Sequence, residues 1–107
     1  MIDWDLRGRV LLVTGGGSGI GRAIATEAAR NAMVVAVVDA VAERATQVAD
    51  ELKALGAKSV GFTLDVRDGA ACEATVAAAE AALGPIDAMV ACAGISPPAP
   101  AQTMSDE

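Results

Sequence analysis

The sequence has 107 residues, 53% of them hydrophobic and 21% charged, with a formal net charge of −6 and no histidine. That length holds one small domain with a core, and the apolar share argues against disorder. An acidic chain without a basic cluster is not expected to bind nucleic acid or an anionic membrane, and without histidine it has neither Ser-His-Asp nor Cys-His nucleophile chemistry.

The opening segment MIDWDLRGR carries acids where a leader needs a basic region and an apolar run, and no window reaches membrane-spanning length. Val10–Val13 is a short, unbroken apolar run, the pattern of a strand buried on both faces. Thr14 follows, and then five glycines crowd into residues 15–21. From Gly19 to about Asn31 a helix is expected, with Ile20, Ala23, Ile24 and Ala28 on one side. Met33–Val38 reads as the second strand and ends against Asp39. Val41, Ala45, Val48, Leu52 and Leu55 then form one helical stripe, with Gly56 as its stop. Val60–Leu64 is the third strand. In the third helix Cys72, Val76, Ala79 and Leu83 repeat the stripe, Asp68 is the expected N-cap and Gly84-Pro85 the end. Ile86–Cys92 is the fourth strand. Three prolines in residues 97–100 then make the tail an extended or loop segment. Cys72 and Cys92 have no CxxC spacing, so neither a metal site nor a disulfide framework is expected, and two reduced thiols suit a cytoplasmic protein.

Strands alternating with helices imply a parallel sheet with right-handed crossovers and helices on both faces. Ligands of such sheets sit at the carboxyl ends of the strands. The glycines occupy that place, where a helix N-terminus offers unpaired N–H groups and partial positive charge to an anion. Side chains at Gly15, Gly19 and Gly21 would block, respectively, the turn, the approach of a diphosphate and the packing of helix on strand. A glycine turn with a purely structural role is the alternative. A nucleotide-triphosphatase P-loop is disfavoured, because Arg22 and Ala23 stand where Lys and Ser/Thr are required. A phospho-receiver domain needs acids after the first strand, where this chain has Thr14-Gly15.

Asp39 lies 18 positions beyond Gly21, near the offset of about 20 residues at which an acid accepts hydrogen bonds from an adenosine ribose. A carboxylate there repels a 2′-phosphate, and Ala40 supplies no cation. Arg22 and Arg44 are the nearest basic residues, and neither is a clear phosphate clamp. NAD is therefore expected over NADP; the alternative for Asp39 is that it only caps the next helix.

Four features in order resemble the short-chain dehydrogenase/reductase family: Thr14-Gly15-x-x-x-Gly19-Ile20-Gly21, Asp39, Leu64-Asp65-Val66, and Val90-Ala91-Cys92-Ala93-Gly94-Ile95. The resemblance runs from Leu6 to the last residue. It implies a partial Rossmann fold, α/β, with four parallel strands in the order 3-2-1-4 flanked by helices on both faces. Residues 1–95 would form a NAD-binding half-Rossmann domain, and 96–107 a Pro-rich, acidic tail or truncated linker. It further implies that Ser18 and Ile20 contact the cofactor, that Asp39 takes the ribose, and that the Asp65 side chain and Val66 backbone hold the adenine. Cys92, Ala93 and Gly94 would line the adenine ribose.

Cys92 departs from the family's Asn at that place, and a thiol bridges neighbouring strands only weakly. The family's Ser, Tyr and Lys centre lies beyond the Ala93-Gly94 turn, and this sequence has no Tyr. The expectation is a NAD-binding N-terminal portion of an oxidoreductase that is inactive alone, partnered by a missing C-terminal portion. The alternative is a non-catalytic module that pairs its open sheet edge with another chain or a second copy of itself.

Overall fold

The computed structural model describes residues 6–17, 19–65 and 67–92. Seven elements alternate: β1 (Val10–Thr14), α1 (Gly19–Arg30), β2 (Val34–Asp39), α2 (Ala42–Ala54), β3 (Ser59–Thr63), α3 (Gly69–Leu83) and β4 (Ala88–Ala91). The strands form one parallel sheet in the order β3-β2-β1-β4, as the resemblance implies.

The unbroken apolar runs of β1 and β2 work because successive side chains point to opposite faces. Leu11, Val13, Val35 and Val37 join Ala25, Ala28 and Ala29 of α1 and Ala45, Val48, Ala49 and Leu52 of α2 in one core. Val10, Leu12, Ala36 and Val38 face the other way and meet Ala79 and Leu83 of α3. Helices therefore cover both faces, two on one and one on the other.

Alanine-rich helices pack close to this sheet. A Cβ on Gly61 of β3 would lie 2.8 Å from the backbone oxygen of Ala45 in α2, so hydrogen is the only side chain the gap admits. Near that contact the Ser59 hydroxyl, itself buried, donates to the Ala49 carbonyl at 2.6 Å.

Helix ends follow the sequence signals with one exception. Asp68 accepts from the Ala71 N–H at the start of α3, and Gly84 closes it by donating to the Glu80 carbonyl. Gly56 ends the α2 turn with φ +92°. The stripe assigned to α2 is shorter than expected: its end residues Val41 and Leu55 occupy the cap positions and are exposed. At the end of α1, Ala32 takes the left-handed conformation (φ 62°) that favours glycine. Its N–H donates to Ala29 and that of Met33 to Ala28, a Schellman closure built on alanine.

The fourth strand is shorter than the expected Ile86–Cys92: it is Ala88–Ala91, the stretch expected to form an unpaired apolar edge. Among the described residues it pairs only with β1, so it forms an edge of the sheet and Met89 is 59% exposed. At its start the Asp87 carboxylate accepts the Val10 N–H at 2.8 Å and lies 3.8 Å from the Arg9 guanidinium, fixing the register of β4 on β1.

Candidate functional site

The carboxyl ends of β1, β2 and β3 lie side by side, Thr14 opposite Val38 and Asp39 opposite Thr63. Strand spacing of about 4.8 Å separates the first and third of these ends by about 10 Å. Gly15 (φ +70°) turns the chain off β1, and the Gly16 N–H donates to the Val38 carbonyl at 3.0 Å, pinning the loop on β2. A Cβ on Gly21 would strike the Gly15 carbonyl. The sequence reading had helix packing on the strand here; the partner is the loop's own first residue. Gly19 (φ +58°) is different, because nothing lies within 4 Å of the place a Cβ would take. Ile20 beside it is 61% exposed, and the first turn of α1 holds no acidic residue. The start of α1 thus presents open backbone with N–H donors and no acidic side chain of its own first turn to oppose an anion.

Asp39 is 7% exposed, and both its oxygens are engaged. Oδ2 accepts the Gly17 N–H at 3.0 Å and Oδ1 accepts the Val41 N–H at 2.9 Å. It is not the N-cap of α2; that position is Val41, which makes no side-chain bond. Asp39 instead bridges the glycine loop and the segment entering α2.

Gly17 packs into the same corner, and its spacing in the sequence does not single it out. A Cβ there would lie 2.7 Å from Asp39 Oδ2 and 2.5 Å from the Arg44 Cβ. The run of three consecutive glycines was the available signal.

Asp65, just beyond β3, is exposed and bound to Arg67. The Arg67 backbone N–H and Nε each donate to Oδ1 at 3.0 Å, and Nη2 donates to Oδ2 at 2.8 Å. These side-chain and backbone hydrogen bonds hold the Asp65 carboxyl down at a pKa of about 2. Arg67 was not anticipated either, because a contact two residues away leaves no periodic signal. Arg22 is paired with Glu51 of α2, which accepts two hydrogen bonds from its guanidinium at 3.0 and 2.8 Å.

Cys92 is half-buried, and its N–H donates to the Thr14 carbonyl at 2.9 Å, extending the β1–β4 ladder. Lys58 sits at the opposite end of the sheet, its carbonyl accepting from Val35. Ser18, Val66, Ala93, Gly94 and the tail 96–107 lie outside the described residues. No helix among the described residues is long and apolar enough to cross a membrane.

Several known proteins share this arrangement. The chain is 37% identical over 102 residues to 2,3-dihydro-2,3-dihydroxybenzoate dehydrogenase of Bacillus subtilis, covering 95% of this chain and 39% of that protein. It is 42% identical over 106 residues to D-threitol dehydrogenase of Mycolicibacterium smegmatis, covering 97% of this chain and 41% of that one. A short chain dehydrogenase/reductase from Burkholderia phymatum, solved in complex with NAD, superimposes with a TM-score of 0.77 at 33% identity, over 81% of this chain and 31% of that chain. The chain thus spans about two fifths of the length of these curated relatives. A family model described as short chain dehydrogenase matches residues 9–107, and the chain belongs to that family.

Proposed function

We propose that this chain is the NAD-binding portion of an oxidoreductase that transfers hydride between a nicotinamide cofactor and an alcohol or carbonyl substrate. The observation that carries the reading is the buried Asp39 carboxylate beside open glycine backbone, at the carboxyl end of the sheet's two central strands. The dinucleotide supplies or accepts the hydride; everything else required of the chain is binding. Gly19, Ile20 and Gly21, with Ser18, hold the diphosphate through backbone N–H groups at the helix start. Two of the roughly four lone-pair directions of the Asp39 carboxylate are engaged, which leaves acceptor capacity for ribose hydroxyls. Asp65 and Val66 hold the adenine, and Cys92, Ala93 and Gly94 line the adenine ribose. With no Tyr and no His in the sequence, the family's proton-transferring Tyr is not supplied by these residues, and no turnover is expected of the chain by itself.

Calorimetric titration with NAD, NADP and ADP-ribose tests this. NAD and ADP-ribose are expected to bind alike and NADP more weakly, because a 2′-phosphate meets the Asp39 charge. NADP binding as tight as NAD would overturn the NAD assignment.

A second reading rests on β4. Its open edge and exposed Met89 suit a module that adds a strand from another chain or a second copy of itself. Light scattering after size exclusion separates the two readings: a defined complex indifferent to NAD supports the second, and a NAD-dependent thermal shift supports the first.

A further inference from the structure

Asp39 hydrogen-bonds two separate segments. Through Oδ2 it fixes the Gly17 N–H of the glycine loop, and through Oδ1 the Val41 N–H at the entry to α2. The Gly16 N–H bond to the Val38 carbonyl anchors the loop one residue earlier. Gly16 and Gly17 are therefore held in turn by a backbone anchor and by a buried carboxylate. We infer that Asp39 is a positioning residue for the diphosphate subsite, holding the glycine loop in its anion-receiving shape in addition to meeting the ribose. The inference rests on the nucleotide-binding reading above, and it adds a role at a different part of the ligand.

Charge gives the inference a distinctive sign. Asp39 is negative and near the loop, so if it acted only through its charge, neutralising it would strengthen binding of a diphosphate. If it acted only as a ribose acceptor, a ligand lacking ribose hydroxyls would not respond. A brace predicts weaker binding of that same ligand. In Asp39→Asn the amide oxygen still accepts one N–H, while the amide NH2 faces the other donor and leaves it unpaired. Hydrogen bonds to charged groups are the stronger kind, so a loss on the order of tenfold is expected when one is removed and a buried donor is orphaned.

The experiment compares ADP, 2′,3′-dideoxy-ADP and inorganic pyrophosphate by calorimetry on wild type and Asp39→Asn, with the circular dichroism of both recorded. The expected result is about a tenfold loss for all three ligands. Unchanged or tighter binding of dideoxy-ADP and pyrophosphate, with ADP alone weakened, overturns the inference and leaves the nucleotide-binding reading standing. If wild type binds neither ADP nor pyrophosphate, that reading falls and the inference with it. A measurement on wild type covers a variant that fails to fold: the NMR scalar coupling across the Gly17 N–H to Asp39 carboxylate hydrogen bond. Its presence is expected, and its absence from the folded protein overturns the brace.

Discussion

On one side of β1 lies β2, whose residues Val35 to Val38 have no exposed surface; on the other lies β4, where Met89 keeps 59% of its own. Both segments are short apolar runs in the sequence. What separates them is company: β2 has a strand on each side and helices over both faces, whereas among the described residues β4 has β1 alone. An apolar run therefore declares that a segment is suited to burial, and its neighbours decide whether burial happens.

The widest break in that contrast comes from deleting side chains on each side. Leu52→Ala removes a fully buried side chain from the core shared with β2 and is expected to cost about 2–5 kcal/mol in urea unfolding. Met89→Ala on β4 should stay within about 0.5 kcal/mol. Equal losses would mean that β4 is as enclosed as β2. Next in size is Gly21→Ala, whose new methyl meets the Gly15 carbonyl. About 1–3 kcal/mol of stability should go, together with the nucleotide affinity proposed above, since the helix start must move off the loop.

A smaller effect of opposite sign is expected at the connection into β2. Ala32→Gly relieves a left-handed alanine and should raise stability by up to about 1 kcal/mol, visible as a higher midpoint at unchanged slope. The least effect belongs to the surface beyond β3. Arg67→Ala should let the Asp65 carboxyl rise from about 2 toward its usual 3.8, followed by carbon NMR of the carboxyl group against pH. The folded-state pKa is the depressed one, so whatever this pair contributes is complete above the unfolded value and lost as pH falls through about 2. Near neutral pH the pair should therefore give wild-type stability no pH dependence.

Much of this architecture was legible in the sequence. Alternating periodicity predicted seven elements in order, and the glycine run and Asp39 marked where β1 and β2 end. Asp68 and Gly84 announced the limits of α3 because capping is a local interaction. The illegible parts are contacts between elements. The Asp39–Gly17 bond joins residues 22 positions apart, and the Arg22–Glu51 pair spans 29; neither spacing follows a period. Val41 and Leu55 fit the helical stripe and are exposed nonetheless, as the caps of α2 and not part of its helical turns. Asp65 was recognised as an exposed acid, but its engagement by Arg67 depends on how one turn folds back.

The thin seam where α2 rests on Gly61 has a mechanical corollary. That helix begins one residue after Val41, which Asp39 tethers to the loop. Even a methyl group at Gly61 would press on the Ala45 backbone, so helix and strand must part to admit it. A residue on the far edge strand thereby bears on the segment that Asp39 links to the glycine loop.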